Sequence, residues 1–157
     1  MVAIGIDGGS RAGGDLRGAG ATGAKPQLMG DRVLGTLLNY IASAVVIGWG
    51  VAHVVPTREV VKSLGEAAID SRQVMEVEWV AEGLALAFIG VSTFVLTVAA
   101  GLSDPVAVLV YRMNAAALIV FAAWHYLVGF KTRLLPVKLC PAVLTSAAAL
   151  VVVATLV

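Results

Sequence analysis

Four ionisable side chains in an otherwise apolar chain have the types and spacing to do chemistry: His53, Glu78, Glu82 and His125. Glu78 and Glu82 are four residues apart and on a helix would share one face. Imidazoles and carboxylates pass protons near neutral pH, and two histidines on different helices can hold a haem from opposite sides. His53 and His125 are therefore the candidate cofactor ligands, and Glu78 and Glu82 the candidate proton or polar site. A second group, Asn39, Arg112 and Asn114, forms a candidate outer polar cluster.

Several chemistries lack their signatures. Di-iron bundles use Glu-x-x-His pairs, and none occurs. Zinc hydrolysis on a helix uses His-Glu-x-x-His, also absent. His53 lies close to the end of its apolar run, and no Cys-x-x-Cys-His haem attachment motif is present, which counts against the haem version. The single cysteine, Cys140, excludes an intramolecular disulfide framework and a four-cysteine zinc site. In Leu139-Cys140-Pro141 it has no base beside it in sequence and reads as a packing residue. The Gly5 to Gly9 stretch precedes no helix and is too weak for a phosphate cradle. Spacing thus assigns no catalytic residue and no metal-ligand set, and leaves any cofactor unknown.

The elements that must position these residues follow from composition. The chain has 157 residues, 59% of them hydrophobic and 13% charged, with a mean hydropathy of +0.93. Soluble domains carry about 25% charged residues, so roughly half the usual charge is missing. That excludes a water-soluble globule, and disorder of the whole chain fails for the same reason. A net charge of +1 without a basic run gives no field for nucleic acid. The fold class expected is all-α, an integral membrane four-helix bundle. Its spans are about 33–55, 77–100, 105–130 and 134–157, each able to cross about 30 Å of hydrocarbon. The period-two alternation of a β-barrel is absent.

Residues 1–32 hold nine glycines and no apolar run, so they are expected to form a disordered tail ahead of the membrane domain, 33–157. Met29, just before the first span, is an alternative start. Between the first two spans, Val60, Val61, Leu64 and Ala68 recur at helical spacing among charges, predicting a short interfacial helix broken at Gly65. Asp70 with Gln73 reads as a capping pair leading into the second span. Asp104 followed by Pro105 reads as a helix start. The short Gly101 to Asp104 connection predicts that spans two and three form a tight antiparallel hairpin.

That hairpin sets a depth scale. Pairing Ala100 with Pro105 brings His125 opposite about Val80, between the two glutamates, while His53 lies a similar distance from the end of span one. At 100° per residue, His53 and Asn39 fall within about 40° of each other, and His125 and Asn114 within about 20°. The polar residues therefore form stripes that can face a bundle interior. Trp49, Trp79, Trp124 and Tyr126 lie near the same boundary, so His53, Glu78 and His125 also fit an interfacial belt. A His–Glu contact holding helices in register, a bound cofactor or metal, and a transported proton on Glu82 tuned by His125 are the other readings of this layer. Arg112 is about 12 Å from its helix start, close enough to reach head groups, to pair with Asn39 or to meet an anionic ligand.

Lys and Arg give the orientation. Arg58, Lys62, Arg72, Lys131, Arg133 and Lys138 lie on one side, against Lys25 and Arg32 on the other. The positive-inside rule then puts the first and third loops in the cytoplasm and both termini outside, in a plasma or inner membrane of bacterial type. In topology alone, the layout resembles the small four-helix bacterial membrane proteins of the DoxX-like kind, and that likeness carries over no residue. The function expected is that of an accessory or structural membrane component without catalytic chemistry of its own. Its partners would be the lipid bilayer and a membrane protein or a second copy of itself, without nucleic acid. The alternative is a haem- or metal-binding or proton-coupled protein using His53, Glu78, Glu82 and His125.

Overall fold

The structure is a computed structural model that describes residues 25–62, 69–129, 131 and 135–157. Its elements are α1 (Lys25–Val54), α2 (Thr57–Lys62), α3 (Ile69–Ala99), α4 (Pro105–Gly129) and α5 (Leu135–Ala154). Four of them, all but α2, are long and apolar enough to cross a membrane. Helices satisfy their own backbone groups, as a segment in hydrocarbon must.

The helix ends follow local chemistry. Asp104 accepts from the Ala107 N–H at 2.8 Å and so caps α4, with Pro105 at the first helical position, where no N–H is needed. At the end of α3, Gly101 takes a left-handed φ of 71° and its N–H returns to the Leu96 carbonyl at 3.1 Å, a conformation that favours glycine. Pro56 stops α1. The Thr57 hydroxyl then donates to the His53 and Val54 carbonyls at 3.0 and 2.8 Å, covering orphan acceptors where α2 begins.

Two boundaries differ from the sequence reading, and a third falls outside the described residues. First, α1 begins at Lys25 and not at Val33, because Pro26 is tolerated in a first helical turn and nothing after it breaks the helix; the rest of the proposed tail, 1–24, lies outside the described residues. Second, α3 begins at Ile69, which puts Asp70 inside its first turn and not at its cap. Third, the short helix α2 is present as far as Lys62, and the proposed break at Gly65 lies outside the described residues.

The larger correction concerns pairing. The expected tight hairpin of spans two and three (α3 and α4) is not what packs the bundle. Instead α3 lies mainly on α1, α4 mainly on α5, and α1 on α5, while α3 and α4 touch sparsely despite their short connection. Glycine explains the first pairing. A methyl on Gly50 would stand 2.6 Å from the Gly83 carbonyl oxygen, and one on Gly90 would stand 2.7 Å from the Ile47 side chain. Bare backbone at these positions lets α1 and α3 approach closely, as small residues do in lipid. The α3–α4 seam has no such row, and it stays open as a cleft at the end of the bundle that holds the polar residues. The core between the helices comprises Val46, Leu86, Leu118 and Leu144 with small residues of α4 and α5.

Candidate metal centre

Each of the four long helices delivers one donor to a single point. His53 comes from α1, Glu82 from α3, His125 from α4 and Cys140 from α5. Their ligand atoms all lie within 4.8 Å of one another. His53 and Cys140 are fully enclosed, at 2% and 0% exposure, while Glu82 and His125 retain side-chain exposures of 18% and 11%.

The local helix geometry sets the tautomers. His53 Nδ1 lies 3.0 Å from the Trp49 carbonyl, and His125 Nδ1 lies 2.9 Å from the Phe121 carbonyl. A carbonyl only accepts, so each Nδ1 carries the proton and each neutral ring turns a bare Nε2 lone pair inward. Both Nε2 atoms face Glu82 Oε1, at 3.8 Å from His53 and 2.8 Å from His125. The shorter distance suits an ion pair if His125 gains a second proton. It does not meet hydrogen-bond alignment, however, and Glu82 Oε1 and His53 Nε2 are both buried without a hydrogen-bond donor or acceptor. Lone pairs converging in this way call for a cation among them, either a second proton on His125 or a metal ion.

Tryptophans hold the histidine and the thiol in place. The Trp49 indole N–H donates to Cys140 Sγ at 3.4 Å, so one residue orients two donors, Cys140 through its ring and His53 through its carbonyl. The Trp79 indole donates to the His53 carbonyl at 2.6 Å and stacks on the His53 ring at a centroid distance of 5.2 Å. The aromatic belt read from the sequence therefore divides in two. Trp79 is buried and Trp49 half-buried against the site, whereas Trp124 and Tyr126 face outward.

Of the residues singled out by sequence, His53, Glu82 and His125 come together. Glu78 is exposed and lies with Glu82 on the wall of the same cleft. The outer group divides: Asn39 and Asn114 join one network through Thr97 and Thr93, and Arg112 stands apart. Asn39 is fully buried and donates to Thr97 Oγ1 at 3.3 Å, Asn114 donates to Ser92 and Thr93 at 2.9 and 3.0 Å, and Arg112 is exposed on the outside of α4. Tyr111, which sequence reasoning passed over, is fully buried and donates to Thr97 Oγ1 at 3.2 Å.

Cys140 is the member that sequence reasoning missed, having been read as packing. Counting inward from the shared boundary would have found it. It sits about as far into its span as Glu82 and His125 sit into theirs, at about 1.5 Å per residue. No protein family, characterised protein or solved structure matches the chain.

Proposed function

We propose that this is a four-span membrane protein that holds one divalent transition-metal ion among His53, Glu82, His125 and Cys140. The observation that carries this reading is the convergence of one donor from each span, with His53 Nε2 buried and unpartnered and Glu82 Oε1 facing both imidazoles. A tetrahedral ion with bonds of about 2.0–2.3 Å separates its ligands by about 3.3–3.8 Å, which small side-chain shifts reach from the present spacing. Charge supports it too. A dication with one carboxylate, one thiolate and two neutral imidazoles sums to zero, the cheapest state for a site in low dielectric. Imidazole and thiolate donors favour zinc and its neighbours over calcium or magnesium.

The same geometry weighs against the haem and proton-carrier readings of this layer, while the 2.8 Å approach of His125 to Glu82 also fits a His–Glu contact holding α3 and α4 in register. A porphyrin between the two imidazoles would occupy the space of the Glu82 and Cys140 side chains. A proton carrier needs a polar path across the bundle, and directly beyond the site lies an apolar layer with one residue from each span: Val46, Leu86, Leu118 and Leu144, each at most 2% exposed. The site is thus reached from one end only. With the first and third loops assigned to the cytoplasm by their Lys and Arg, that end is the cytoplasmic one. An ion tying four helices together fits a metal-dependent accessory component in a plasma membrane. Catalysis would need an open ligand position, and here four protein donors fill a tetrahedron.

The test is titration of the full chain in lipid nanodiscs with Co²⁺. The expected result is one ion per chain, tetrahedral visible bands, a sulfur-to-cobalt charge-transfer band, and affinity that rises with pH because the donors release protons. His53→Ala, Glu82→Gln, His125→Ala and Cys140→Ser should each weaken binding by roughly tenfold or more. A chain that takes up no cobalt, or whose bands survive all four substitutions, overturns the reading.

A further inference from the structure

The metal reading, on which this inference rests, leaves open how an ion reaches donors enclosed by four helices. Two cavities touch His125. One, of about 490 Å³, is the cleft between α3 and α4; its wall includes both Glu82 and His125, with Glu78 and Met75 also on it. The other, of about 500 Å³, lies between α4 and α5 and has Lys138 on its wall. Only the first touches two of the four donors, and the charges of the two cavities are opposite. A further surface hollow continues from Glu78 and Met75 to Asp70, so carboxylates follow one another along α3 from its first turn to the buried site.

We infer that the α3–α4 cleft is the entry portal for the metal ion and that Glu78 is its capture carboxylate, handing the ion to Glu82. Three observations carry this. Glu78 is exposed yet shares a cavity with two donors. Glu78 and Glu82 are one helical turn apart on one face. The alternative route presents a lysine, which repels a cation. The unpartnered, 2%-exposed His53 Nε2 marks the far end of the path. The sparse packing of α3 on α4 follows naturally: a seam closed like that of α1 and α3 would seal the site.

A portal residue differs from a ligand in its kinetics. It lowers the barrier in both directions, so its loss slows loading and release together and leaves the equilibrium nearly unmoved. Stopped-flow mixing of the nanodisc protein with Co²⁺, and of the loaded protein with a chelator, reads both rates. Glu78→Gln is expected to slow each by about tenfold at low salt, with less effect at high salt, and with cobalt bands and dissociation constant unchanged. Ala81→Phe, which narrows the cleft from an exposed position, should slow both rates as well. Lys138→Gln should change neither by more than about twofold. Unchanged rates in both Glu78→Gln and Ala81→Phe, with normal cobalt bands, overturn the portal alone. So does a Glu78→Gln dissociation constant weakened as far as that of Glu82→Gln, which would make Glu78 a ligand. A chain without cobalt bands overturns the metal reading itself.

Discussion

The backbones of Gly50 and Gly83 meet so closely that a methyl on either would stand 2.6 to 2.8 Å from a carbonyl oxygen of the other. The contact lies beside the site, since Gly83 follows Glu82 and a methyl there would also come within 3.1 Å of His53 Cβ. The spacing between the α1 and α3 donors is therefore set by two missing side chains.

Replacing Gly83 by alanine should push the helices apart at this point. Overpacking of this kind costs about 1–3 kcal/mol, and moving Glu82 away from His53 should weaken cobalt binding as well. Gly48 is the control, because a methyl there meets nothing within 4 Å. Gly48→Ala should be neutral or stabilising by up to about 1 kcal/mol, the helix preference of alanine over glycine. Thermal unfolding of both variants in the same nanodiscs, with and without metal, checks the contrast. Equal behaviour of the two would remove the close contact as the cause.

Trp49 should matter to the metal more than to the fold. Its ring donates to Cys140 Sγ and its carbonyl holds His53 Nδ1. Trp49→Phe keeps the carbonyl and most of the ring but loses the indole N–H. Loss of an outer-shell partner weakens metal affinity by about 10- to 100-fold. The sulfur-to-cobalt band should also shift in energy while the visible bands persist, because only the sulfur has lost a hydrogen bond. A Trp49→Phe protein with wild-type affinity and an unmoved band would mean that the 3.4 Å contact does not tune the thiolate.

Much of this was legible in the sequence, and the exceptions have physical causes. Apolar runs and the Asp104–Pro105 cap located the spans because hydropathy and capping are local properties. Pairing Ala100 with Pro105 brought His125 to the depth of Glu82 because depth along a span is set by counting residues from its boundary. Pairing was not local: it depends on which helix faces carry bare glycine, so a short Gly101–Asp104 connection misled where Gly50, Gly83 and Gly90 decided. Cys140 escaped for a related reason. Its partners are on three other helices, so local spacing does not record them and only its depth, counted from the span boundary, does. Trp79 looked like a belt residue because an interfacial tryptophan and one stacked on a histidine at the same depth have the same sequence signature.

Beyond the apolar layer, the outer polar residues behave as a separate structural unit. Tyr111 and Asn39 both donate to Thr97 Oγ1, whose own hydroxyl donates to the Thr93 carbonyl at 2.8 Å. Tyr111→Phe removes one hydroxyl and leaves Thr97 satisfied by Asn39. Polar contacts between membrane helices average about 0.6 kcal/mol and reach about 1.7, so the variant should lose stability in that range. Its cobalt affinity should stay within about twofold of the unaltered chain, because sites without shared partners act nearly additively and Val46, Leu86, Leu118 and Leu144 separate the two layers. Unfolding and cobalt titration on one preparation measure both quantities. A Tyr111→Phe protein with normal stability but tenfold weaker cobalt binding would show that the apolar layer does not insulate the site, and would reopen the case for a polar path across the bundle.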